Sequence, residues 1–197
     1  MEKQLIISVS REYASSGHLI AEKLAERFSL PLYDKNLLHE IAEIKSVNAN
    51  KLLKYDEIPR NKIFSRSVRN YNNSPEENIA QMQFEYLKKK ARAGESFVIV
   101  GRCSESILKE FDSLVSIFVL ADMDSKIKKV VDTQNISEEE AKVVVVRQNK
   151  ARKAYHNYYC TEKWGDSRNY DISINSSKLG VERTADILEG YIKERLK

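Results

Sequence analysis

Leu5-Ile6-Ile7-Ser8-Val9-Ser10-Arg11-Glu12-Tyr13-Ala14-Ser15-Ser16-Gly17-His18-Leu19 is the stretch on which the fold turns. Its opening, Leu5 to Val9, is a short apolar run rich in β-branched residues and reads as a buried strand. Polar Ser10-Arg11-Glu12 closes that run. From Gly17 the period changes. Leu19, Ile20, Leu24 and Phe28 share one stripe, with Glu22, Lys23, Glu26 and Arg27 outside it, as in an amphipathic helix. The turn between strand and helix therefore ends at a helix N-terminus, where free N–H groups and the positive dipole end attract an anion. Small residues there let backbone approach phosphate oxygens.

Working outward, Pro31 is expected to stop the first helix, and Leu32-Tyr33 reads as a second strand. Asp34 is placed to cap a helix carrying Leu37, Leu38, Ile41 and Ala42. From Ser46 to Ser74 the periodicity fades, and this stretch reads as loops and short helical pieces. Ser74-Pro75-Glu76-Glu77 starts a helix expected to reach Ala93 and stop at Gly94. Phe97–Val100 and Val115–Leu120 are the next strands, and Asp122 is positioned to cap the helix after them. Ser137-Glu138-Glu139-Glu140 opens a helix reaching Tyr155. Asp171–Asn175 alternates as a fifth strand, and a last helix begins near Gly180. The order predicts an α/β protein: a parallel sheet of about five strands with helices on both faces.

A length of 197 residues suits one domain, and 42% apolar beside 31% charged residues excludes a disordered chain. Cys103 and Cys160 are too few for a disulfide framework, and with His18, His39 and His156 dispersed they match no zinc spacing. No signal peptide is visible, and apolar runs such as Val143–Val146 fall far short of a membrane span. A cytoplasmic protein without a membrane partner is expected. The net charge of +4 permits phosphate-bearing ligands without requiring nucleic acid, and no nucleic-acid partner is expected.

Against the phosphate-loop pattern G-x-x-x-x-G-K-[ST], only Gly17 fits. Glu12 stands at the first glycine, His18 at the lysine and Leu19 at the magnesium-binding hydroxyl. Taken alone the motif fails, and an ordinary strand–helix connection stays open.

Further motifs follow in order: Ser10-Arg11-Glu12-Tyr13 with Ser15, Gly17 and Ile20, then Leu32-Tyr33-Asp34-Lys35, then Val98-Ile99-Val100-Gly101-Arg102. Tyr158-Tyr159, Trp164-Gly165-Asp166, Asn169-Tyr170-Asp171 and Ile174-Asn175-Ser176-Ser177 come next, with Leu179-Gly180, Glu182 and Thr184 after them. In this order they resemble the cytidylate kinase-like family of P-loop kinases, whose own loop departs from the lysine pattern in the same way. The resemblance covers nearly the whole chain and is weakest across Ser46–Asn73.

The resemblance implies a single P-loop kinase domain over 1–197, with an acceptor-side insert at about 46–93 and a mobile lid at about 147–168. It implies phosphoryl transfer from ATP, with magnesium, to a nucleoside monophosphate, CMP or dCMP foremost. Ser10, Arg11, Ser15, Ser16, Gly17 and His18 would then hold the donor phosphates. Gly101 and Arg102 would take the acceptor's phosphate beside Asp34, and Arg147 and Arg152 would be lid arginines. Asn175, Ser176 and Ser177 fall where related kinases hold adenine. Each position also has a plain reading. His18 suits an exposed first-turn residue, Arg102 a surface arginine, Asp34 a helix cap, the basic stretch a solvated face and Asn-Ser-Ser another cap. Ala14 and Ser16 replace usual glycines and are expected to restrict positive φ in the loop. With the lysine and hydroxyl also missing, a nucleotide-binding regulator with little turnover is the alternative. A different small hydroxyl or phosphate acceptor is a third.

Overall fold

The computed structural model describes residues 3–34, 36–44, 48–54, 56 and 75–197. Five parallel strands form one sheet: β1 (Ile6–Arg11), β2 (Leu32–Tyr33), β3 (Phe97–Val100), β4 (Leu114–Leu120) and β5 (Ile172–Asn175). Their order is β2-β3-β1-β4-β5. Strand β1 pairs with β3 from Ile6↔Phe97 to Val9↔Val100, and with β4 from Ile6↔Leu114 to Arg11↔Val119. It continues past the expected end at Val9, because Ser10 and Arg11 stay in register with Phe118 and Val119.

The helices are α1 (Gly17–Arg27), α2 (Asn36–Ile44), α3 (Ala49–Leu53), α4 (Pro75–Arg92), α5 (Ser104–Ile107), α6 (Met123–Gln134), α7 (Glu138–Tyr159) and α8 (Gly180–Leu196). They cover both faces of the sheet. On one face Ile7, Val9, Val100 and Ile117 pack with Ile20 and Leu24 of α1 and Leu188 and Ile192 of α8. On the other, Ile6, Phe97 and Ile99 meet Leu37, Leu38 and Ile41 of α2 and Leu87 of α4. Strands buried on both sides need continuous apolar runs, which is why the pattern reads as it does. Each such side chain contributes about 1.5–3 kcal/mol by leaving water.

Several helix ends differ from expectation. Helix α1 stops at Arg27, before Pro31. Ser29 turns left-handed (φ 52°), its N–H bonds to the Glu26 carbonyl, and the Leu30 N–H bonds to the Ala25 carbonyl. This closure satisfies the last carbonyls without help from the proline. Gly94 (φ 79°) ends α4 in the same way. Helix α7 opens on a capping box between Ser137 and Glu140 and runs beyond Tyr155. Asp122 does stand at the start of α6, yet its carboxylate accepts from Asn175 (2.8 Å) and Lys178 (3.2 Å) rather than from helix amides.

Of the weakly periodic stretch 46–74, α3 is a short helix capped by Asn48, whose Oδ1 accepts from the Asn50 N–H (2.9 Å). Lys35, residues 57–74 and the expected helix start at Ser74 lie outside the described residues. Among the described residues no helix is long and apolar enough to cross a membrane.

Because all strands run parallel, their C-terminal ends share one edge. The chain leaves β1 for β2, returns to β3 and then crosses β1 to β4, so the connections change direction around β1. Ligands of open α/β sheets gather in the crevice beside such a switch point.

Candidate active site

The β1–α1 loop is held from several sides. The Glu12 N–H bonds to the Val119 carbonyl (2.9 Å), and the Ser15 hydroxyl to the Glu12 carbonyl (2.9 Å). Ala14 (φ 61°) and Ser16 (φ 63°) both adopt the left-handed conformation. The expected restriction is therefore overcome, at about 1–2 kcal/mol per residue. The Ala14 methyl recovers part of that by packing on Val130, Ala141 and Val145. Gly17 is needed for a close approach instead. A Cβ there would lie 2.5 Å from Arg11 Cβ and 3.3 Å from Val119 Cβ. The first bond of the α1 ladder runs from the Ile20 N–H to the Ser16 carbonyl (3.0 Å), so the amides of Gly17, His18 and Leu19 precede it. They sit at the positive end of the helix.

The loop forms one wall of a cleft of about 780 Å³, and Asp34, Asp56, Arg102, Lys129 and Arg152 line the others. Arg102 is not a surface residue. It is 1% exposed. Gly101, Arg102 and Cys103 all have positive φ (75°, 56° and 55°), and this tight turn out of β3 carries the guanidinium inward. Its Nη1 donates to Asp34 Oδ1 (3.0 Å) and to the Val100 carbonyl (3.2 Å), and its Nη2 to Asp56 Oδ2 (2.6 Å). Gln83 Nε2 donates to the other Asp56 oxygen (3.1 Å). The Asp34 carboxylate is committed to Arg102 and to His18 Nδ1 (3.3 Å), so capping does not account for it. His18, half-exposed at the first turn, also lies 3.2 Å from Glu22.

Helices α6 and α7 close the far side. Arg152 Nη1 donates to the Arg11 carbonyl (3.2 Å), and its guanidinium stacks 5.5 Å from the Tyr13 ring centre. Asn149 Oδ1 accepts from the Tyr13 N–H (2.7 Å). Lys126 Nζ donates to Glu12 Oε2 (2.7 Å), and Lys129 Nζ to the Ser16 hydroxyl (2.7 Å). Arg147, one residue before cleft-lining Gln148, is exposed and outside the lining. Tyr155 and Tyr159 of α7 pack with Phe84 and Cys103.

Other sequence candidates sit near the loop with their side chains already engaged. The Ser10 hydroxyl points beneath the sheet to Glu105 Oε2 (2.9 Å), away from the cleft. There Glu105 Oε1 meets buried His156 (2.6 Å), whose pKa burial would lower. Hydrogen bonds with Cys160 and Glu105 outweigh burial and push it up to about 10. Gly101 lines a small adjoining cavity with Ser10 and His156. Helix α8 begins only at Gly180, so Asn175, Ser176 and Ser177 are not its cap. Asn175 holds Asp122, Ser177 accepts from the Asp122 N–H (2.7 Å), and buried Ser176 donates to the Ser15 carbonyl (2.6 Å). Ser176 thus braces the loop from below.

Asp56, Gln83, Lys126 and Lys129 escaped the sequence reading. Asp56 lies in the stretch without periodicity, and the two lysines resemble an ordinary solvated helix face. Their spacing of three beside buried Val130 is the one available signal.

Among the described residues no group of three or more His, Cys, Asp or Glu side chains is placed to hold a metal ion. Glu12 is paired with Lys126, and Asp34 with Arg102 and His18. Leu19 occupies the hydroxyl-ligand position, and Ser16 accepts from Lys129. This donor set does not fit a magnesium ion held by protein ligands.

The family model described as the cytidylate kinase-like family matches residues 6–178. A comparison with curated proteins finds no match. Among solved structures, an uncharacterized protein from Eubacterium ventriosum is 39% identical, with 96% of this chain and 99% of that one covered at a TM-score of 0.77. Shikimate kinase from Bacteroides thetaiotaomicron is 12% identical, covering 96% and 98% at 0.58. Shikimate kinase from Acinetobacter baumannii, solved with shikimate, is 11% identical, covering 100% and 97% at 0.54. These two distant likenesses establish the P-loop kinase fold alone. The family match spans the strand–loop–helix opening, the Gly101-Arg102 turn and α7, and it settles the matter: the chain belongs to the cytidylate kinase-like family.

Proposed function

We propose that the protein transfers a phosphoryl group from ATP to a small acceptor, a nucleoside monophosphate with CMP or dCMP foremost. The observation that carries this reading is the facing of three features across one cleft: the amides that open α1, the buried Arg102 and the α7 arginine Arg152. Phosphoryl transfer needs positioning and charge neutralisation more than covalent chemistry from the protein. The loop amides hold the donor phosphates. Arg102 offers a planar fork to the acceptor's phosphate, which takes the place of a carboxylate now on it. Arg152, already against the loop, offsets charge on the group in transit. ATP supplies the phosphoryl group, and any magnesium enters on the nucleotide's phosphates.

Incubating the protein with ATP, magnesium and a panel of nucleoside monophosphates, with shikimate as an unrelated acceptor, tests the reading. CDP or dCDP formed together with ADP is expected. No product with any acceptor would overturn it. The two carboxylates on Arg102 favour a second reading, a nucleotide-binding regulator, which predicts ATP binding without product.

A further inference from the structure

The loop lacks its lysine and carries a carboxylate, Glu12, where the pattern has glycine. A phosphate cup with an uncompensated carboxylate would repel its ligand. The structure answers both defects from one helix. Lys126 of α6, 4% exposed, lies 2.7 Å from Glu12 Oε2, and the Ala121 N–H donates to the same oxygen (3.2 Å). That carboxylate is neutralised in place.

Lys129 follows three residues later, on the same face of α6. Its partner is the neutral Ser16 hydroxyl at 2.7 Å, and it lines the cleft. Among the described residues no carboxylate pairs with it, and burial lowers its pKa. An ammonium has three donors, and a partly buried cation facing one hydroxyl is poorly compensated. An anion at the mouth of α1 corrects that deficit. Lys126, by contrast, is already paired.

We infer that the two α6 lysines jointly replace the missing loop lysine, Lys126 cancelling Glu12 and Lys129 binding the polyphosphate of a nucleoside triphosphate. The inference rests on the proposed function, since it names the cation for that same donor site. On ligand entry the Lys129 ammonium exchanges the Ser16 oxygen for phosphate oxygen and stays on α6.

Calorimetric titration with ATP and with inorganic tripolyphosphate separates the possibilities. Lys129→Gln should bind both about 10- to 100-fold more weakly than the unmodified protein, with Lys129→Arg much closer to it. Lys126→Gln should weaken binding by exposing the Glu12 charge, and Glu12→Gln with Lys126→Gln should restore it. Thermal melts of each variant identify any that fail to fold, and the double variant keeps the Lys126 arm decisive if the single one does. Lys129→Gln binding as tightly as the unmodified protein would overturn the inference and leave the proposed function standing. If the unmodified protein binds neither ligand, both fall together.

Discussion

Arg102 Nη2 lies 2.6 Å from Asp56 Oδ2, with Arg102 1% exposed and the Asp56 side chain 9% exposed. A buried guanidinium must be compensated, and removing one partner of such a pair leaves a charge in a poor solvent. Asp56→Ala should therefore cost about 3 kcal/mol of stability in denaturant unfolding. Asp34 stays on Arg102 in that variant, which keeps the protein folded. A loss below about 0.5 kcal/mol, the level of an exposed ion pair, would show that the Asp56 contact is not maintained in solution.

Gly17 tests the geometry of the loop. Its position touches the Arg11 stem, and Cβ atoms cannot rotate out of the way. Gly17→Ala should destabilise by about 1–3 kcal/mol and weaken ATP binding more than the stability loss explains. Circular-dichroism melts paired with ATP titration measure the two effects separately. A variant with unchanged melting and affinity would mean that Arg11 and Gly17 do not approach as described.

Arg152 and Arg147 lie on one helix with different surroundings, Arg152 against the loop and Arg147 exposed. On the proposed function, Arg152→Ala should lower kcat roughly 100-fold or more. Arg152→Lys should fall between, because a point charge replaces the planar fork. Arg147→Ala should stay within a few-fold of the unmodified protein. Equal losses from Arg147→Ala and Arg152→Ala in steady-state assays would contradict this division.

The sheet is legible in the sequence for a physical reason. Strands such as Phe97–Val100, buried on both faces, read as unbroken apolar runs. Ser10 and Arg11 show where that signal ends, since backbone pairing holds them in β1 although their side chains are polar. The site is legible only in outline. A long charged residue after a strand reads as surface, and nothing local reveals that Arg102 turns inward to Asp56, 46 residues before it. Ala14 and Ser16 hide their left-handed conformation because residue type argues against it and tertiary packing overrides that preference. Lys129 is invisible for a related reason: its meaning depends on the loop it reaches.

Cys160 supplies a test by pH. A hydrogen bond from Cys103 lowers its pKa; burial opposes this, and His156 lowers it further, to about 6. A folded-state pKa below the ordinary thiol value means that the thiolate persists down to that pH. The alkylation rate of Cys160 by iodoacetamide should rise through about pH 6 and level off, with Cys160→Ser as the blank. A midpoint in the ordinary thiol range near 8.5 would contradict the Cys103–His156 environment.

Backbone amide resonances followed during ATP titration report on the β1–α1 cleft itself. The largest shifts are expected on residues 14–19, with further shifts at Arg102 and along the Lys129 and Arg152 faces of α6 and α7. Shifts confined to another surface, with the β1–α1 amides unmoved at saturating ATP, would contradict it.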